Sequence, residues 1–191
     1  MREYVASGAC TPNDFITLTI QIFMTLAVVR KKVPGFVHMD LTLAQIFLQP
    51  WPLRRSHYLL PAKKGEWLIR QMKYWPVIGD FGTSVTDAHP KAFTIFGLDA
   101  FGPECHSTAQ DIFRYFADAS AAATGTRLKP FIDQLIGCIF NGRYSALKAM
   151  ASRNTWYLPA QGCAYVNGLM PSYYDVLSRS SEFSKHFLLK K

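Results

Sequence analysis

The chain has 191 residues, of which 49% are hydrophobic, 14% aromatic and only 18% charged, which excludes a disordered tail and leaves room for one well-packed domain spanning 1–191. Its formal net charge of +8 permits nucleic acid, anionic lipid or an acidic protein as partner but identifies none of them. The positive residues come in scattered pairs (Lys31-Lys32, Arg54-Arg55, Lys63-Lys64, Lys190-Lys191) without the aromatic interleaving of a single-strand-binding groove, so solvated basic loops are the expectation.

The first element starts at "TPND", residues 11–14. Thr11 suits an N-cap, Pro12 the first turn and Asp14 the positive end of the helix dipole, which predicts a helix over 12–33. Its apolar run "FITLTIQIFMTLAVV", residues 15–29, is shorter than a typical membrane span, follows an acidic residue and lacks a basic leader, so it reads as a buried helix and not as a membrane or signal segment. Arg30, Lys31 and Lys32 suit the negative end, and Pro34-Gly35 stops the helix.

Next comes a loop, "FVHMDLTLAQIFL", residues 36–48, whose last part "AQIFLQPW" reads as a short buried strand. Residues 56–80 are β-rich: "HYLLPA" and "EWLIRQM" flank a "KKG" turn, and "YWPVIGDFG" runs into Asp80-Phe81-Gly82. From 83 to 106, Gly, Pro, Thr and Asp without a period predict a long ordered loop. Helical spacing returns over 107–124, with Ser107 as cap, over 129–140, in "NGRYSALKAMAS", and in "PSYYDVLSRSSEFSKHFLL", which predicts one or two closing helices. The fold class expected is mainly α with a small β hairpin region.

Four cysteines, Cys10, Cys105, Cys138 and Cys163, stand far apart with no C-x-x-C pair, and Cys105-His106 alone is too little for a zinc site. They read as ordinary thiols in a reducing, intracellular compartment.

The order of elements carries a resemblance. His38-Met39-Asp40-Leu41 is similar to the H-R-D-L segment of protein kinases, with Met for Arg. Gln45 falls where that pattern has Asn, Asp80-Phe81-Gly82 matches D-F-G behind an apolar strand, and "TAQDIF" with Asp111 resembles the start of the central helix. Over roughly residues 12 to 140 the chain therefore resembles the C-terminal lobe of a protein kinase with the N-lobe absent, as in the truncated kinase-like proteins of large DNA viruses of insects. The resemblance implies Asp40 at the position of the catalytic base, Asp80 and Gln45 at magnesium positions, and structural roles for His38, Phe81, Gly82 and Asp111. The interval from Asp40 to Asp80 is longer than in kinases, which is where the hairpin around 63–65 fits. "GPE" at 102–104 could stand for A-P-E, with Arg143 as partner of Glu104, although it lies very near Asp111.

The departures bear on activity. Gln is one methylene longer than Asn and magnesium tolerates little error in distance. Met39 removes a cation, and no Gly-rich loop, strand Lys or partner Glu precedes the first helix, although phosphoryl transfer depends mainly on such positioning and electrostatics. The first expectation is a pseudokinase-like inhibitor or modulator in the host cytoplasm, with no cofactor, no membrane association, and a host kinase or a second copy (a homodimer) as protein partner. The face exposed by a missing lobe would be apolar and need cover, with Trp51, Trp67 and Trp75 as candidates and ordinary core aromatics as their alternative. A minimal serine/threonine-type phosphotransferase using Mg²⁺ and ATP, completed by a second chain, is the second expectation. A basic nucleic-acid-binding protein is the third.

Overall fold

The computed structural model describes residues 1–51, 57–62, 65–70, 72–89, 107–151 and 157–189. The chain opens with a short helix, α1 (Arg2–Ala6), that the sequence reading did not contain, and continues into α2 (Pro12–Lys32). Thr11 and Asp14 close a reciprocal capping box at the start of α2: the Thr11 hydroxyl accepts from the Asp14 amide at 3.1 Å, and the Asp14 carboxylate accepts from the Thr11 amide at 3.1 Å. By length and composition α2 could cross a membrane, yet 67% of its most apolar stretch is buried inside the fold. It is apolar on nearly every side because neighbours pack all around it, the expected pattern for the central helix of a core.

Two small antiparallel sheets follow. The first pairs β1 (Ile46–Pro50) with β4 (Tyr74–Ile78), with Leu48 opposite Pro76. The Gly79 amide donates to Gln45 O and the Trp51 amide to Lys73 O, which sets the phase of the ladder. Pro50 and Pro76 then fall at positions whose amides would point away from the partner strand, so neither proline removes a ladder bond. The strand expected from "AQIFLQPW" is present but is not buried: Ile46 alone lies in the core and Phe47 is 55% exposed. Two strands without a covering layer leave one face open, and the apolar letters concealed this.

β2 (His57–Ala62) and β3 (Gly65–Arg70) form a hairpin, and β3 also pairs with β5 (Phe187–Leu189). Lys63 and Lys64 of the expected turn lie outside the described residues. Along β3 the burial alternates, with Trp67 and Ile69 inward, and Trp67 packs against Phe187 with ring centroids 4.8 Å apart. Trp67 is therefore core and not part of an open face. β5 sits where helix was expected to continue, because a three-residue strand has no period to read.

The remaining helices are α3 (Thr108–Ala122), α4 (Lys129–Ile139), α5 (Tyr144–Met150), α6 (Ala160–Leu169), α7 (Tyr173–Ser178) and α8 (Ser181–Ser184). α6 was missed, its mixed "AQGCAYVNGL" giving little periodicity. Ser107 does precede α3, but its side chain makes no capping bond. The core lies where α2, α3 and α7 meet. Phe23 of α2 is 5.2 Å from Tyr115, 5.9 Å from Phe116 and 6.1 Å from Tyr173, centroid to centroid. Thr19 spends its hydroxyl proton on Phe15 O at 2.7 Å, so the buried Tyr115 hydroxyl donates to Thr19, also at 2.7 Å. Among the described residues Cys10 and Cys138 are free, whereas Cys163 is disulfide-bonded, which corrects the expectation of four ordinary thiols. The long loop expected over 83–106 falls mostly outside the described residues, as do Glu104 and Cys105. Arg143, the partner expected for Glu104, lies over the Tyr165 ring at 5.4 Å.

Candidate functional site

The loop from Phe36 to Gln45 is held by α3, by the turn after β4, and by the end of α2. Asp111, fully buried in the first turn of α3, is the centre of this arrangement. Its two carboxylate oxygens accept from the backbone amides of His38 (2.8 Å) and Met39 (2.7 Å), and the Tyr173 hydroxyl of α7 also donates to it. Met39 has φ +69, a left-handed conformation that costs energy for a residue with a side chain and is kept here by the Asp111 bond. The Met39 side chain is buried with Val37 and Val85, against Tyr157. At the position of an expected lost cation, the residue fills a small apolar cluster.

Burial pushes the Asp111 carboxyl above its ordinary range. The nearby His38 imidazole, the Tyr173 hydroxyl and the two amides pull the other way. Tyr173 is pushed well above the ordinary tyrosine value, first by burial and then by the charge of Asp111.

His38 is fully buried. Its Nε2 lies 2.9 Å from Gly79 O, and because a carbonyl only accepts, Nε2 carries the proton. Nδ1 is buried and meets no partner among the described residues. The ring sits 5.2 Å from that of Phe81, which also approaches Phe36 at 6.2 Å. His38 O accepts from the hydroxyls of Thr83 (3.2 Å) and Ser84 (3.3 Å), and Val37 and Val85 exchange backbone bonds of 3.0 and 2.9 Å. The segment after Asp80 is thereby laid along the start of the loop.

Asp80 has φ +55 and its side chain is exposed, with no capping bond to the short 3₁₀ turn Phe81–Thr83 that follows. Phe81 is 50% exposed despite its two ring contacts, and Gly82 is exposed within the turn. Asp40 has a different environment. Arg114 of α3 forms an ion pair with its Oδ1, and the Gln45 side-chain amide donates to its Oδ2 at 3.2 Å. The Arg114 guanidinium in turn lies 4.3 Å from the centroid of the Tyr157 ring. Burial pushes the Tyr157 hydroxyl above its ordinary value, opposed by Arg114.

The structure thus gathers His38, Asp40, Gln45, Asp80, Phe81, Gly82 and Asp111 around one loop. What sequence reasoning missed is the rest of the α3 face. Asp111, Arg114 and Asp118 are spaced i, i+3, i+7, so they share one side of the helix. Each meets the loop: Asp111 at His38 and Met39, Arg114 at Asp40, and Asp118 at the Leu43 amide, which donates to it at 2.9 Å. Three charged residues on one stripe of an apolar helix were a legible signal. Tyr173 carried none, since its partner is 62 residues away.

Among the described residues no group of three His, Cys, Asp or Glu side chains converges to hold a metal ion. Asp80 is an exposed carboxylate, and the Gln45 Nε2 donates to Asp40. Of the aromatics expected to form an open face, Trp51 and Trp75 are half-buried and meet edge-on at 5.7 Å. Phe47, which would meet a Cβ at Gly79, and Phe81, beside His38, are exposed rings.

No family model, no curated protein and no solved structure matches the chain.

Proposed function

We propose that this chain is a kinase C-lobe-like domain, catalytically silent, which acts by binding another protein. The observation that carries this reading is the state of Asp40. A general base must present its carboxylate to the proton it removes, whereas Arg114 on one Asp40 oxygen and Gln45 on the other compete with a substrate for that carboxylate. Gln45, at the position implied for a second magnesium, leans on the same carboxylate through its Nε2. The half-exposed Phe47 and Phe81 support a protein partner, since large apolar side chains left on a surface favour cover. The partner class is a host kinase or signalling protein, or a second copy, in the host cytoplasm. Thiol counting on protein taken from cytosol tests the compartment.

Thermal unfolding with and without millimolar Mg²⁺ and ATP tests the central claim. An unchanged midpoint supports a silent domain. The second reading, a minimal phosphotransferase completed by another chain, rests on Asp80, whose exposed carboxylate is open to a cation. A rise in midpoint that needs both Mg²⁺ and ATP and disappears in Asp80→Asn would replace the first reading with the second. Retention on a polyanion that falls steeply with salt would instead favour nucleic-acid binding.

A further inference from the structure

We draw no further inference here: the strongest candidate, the open groove of about 690 Å³ between α1 and the β1–β4 ribbon, lined by Tyr4, Phe47, Leu48 and Tyr74 among others, is an unpartnered apolar face and nothing in the structure shows what covers it.

Discussion

Arg114 of α3 is paired with Asp40 of the loop while its guanidinium lies 4.3 Å from the Tyr157 ring centroid. One side chain therefore ties together three parts of the chain: the loop after α2, the central helix, and the segment that leads into α6. Both charged groups are largely shielded, with side-chain exposures of 10% for Arg114 and 24% for Asp40. A pair in that position is screened less than one on an open surface, and removing either partner leaves the other charge partly desolvated.

Arg114→Met and Asp40→Asn should each lower stability by about 1–3 kcal/mol, and the double variant should lose less than their sum by about 1–2 kcal/mol. Urea unfolding of the four proteins measures this directly. Strict additivity would mean that the two residues do not act as a pair.

Asp111→Asn should be more damaging, at about 3–5 kcal/mol, because it removes the charge that two backbone amides and a tyrosine hydroxyl address in a fully buried place. An Asn also turns a donor toward one of those donors. Tyr173→Phe, which deletes one of the three bonds and keeps the ring, should cost only about 1–2 kcal/mol. A shift in the urea midpoint that is the same for both variants would contradict the ranking. Amide exchange at His38 and Met39 should quicken in Asp111→Asn more than exchange in α4.

Legibility in the sequence followed the range of each interaction. α2 could be read almost to the residue, because its cap, its apolar run and its basic end are all local. The β2–β3 hairpin was equally legible from two β-rich runs around a short turn. β1 was found but its burial was misjudged, since the letters of "IFLQP" do not say whether a second layer covers the strand. β5 and α6 were too short or too mixed to show a period. In the candidate site, the loop and the Asp80 turn were visible as motifs, and Asp111 through the helix start that carries it. Arg114 and Asp118 were visible in principle as its i+3 and i+7 neighbours, whereas the Tyr173 hydroxyl and the Tyr157 ring reach the loop from far along the chain. The occupied state of Asp40 depends on Arg114, and so no reading of the loop alone could reveal it.

The turn that follows α2 makes a sharp geometric demand. Gly35 has φ +72, and a Cβ there would fall 2.5 Å from the Asp87 backbone nitrogen and closer still to its side chain. That amide is itself fixed by a 3.0 Å bond to Pro34 O. Gly35→Ala should therefore cost more than the roughly 1 kcal/mol of a left-handed Ala alone, because backbone must move as well. Gly125 is the control: φ is +81 but a Cβ there would meet open space, so Gly125→Ala should show the conformational cost only. Comparable midpoint losses in the two variants would show that the Asp87 segment yields freely.

His186 links α8 to β5, and its backbone carbonyl accepts from the Leu68 amide at 2.8 Å. Burial holds its imidazole below the ordinary value of 6.5, with Arg70 and Lys185 acting in the same direction, and the Leu68 backbone contact and Glu182 opposing. A histidine with a lowered folded pKa binds its proton less readily when folded than when unfolded. Its contribution to stability is therefore present above the unfolded value and is lost as pH falls from about 6.5 through the folded value. The thermal midpoint should decline over that window, and His186→Gln, which cannot titrate but keeps the backbone bond, should flatten the decline. Chemical shifts of the His186 ring should titrate below the ordinary histidine range in the folded protein. A profile for His186→Gln that falls as steeply as the unsubstituted one would assign the acid sensitivity to other groups.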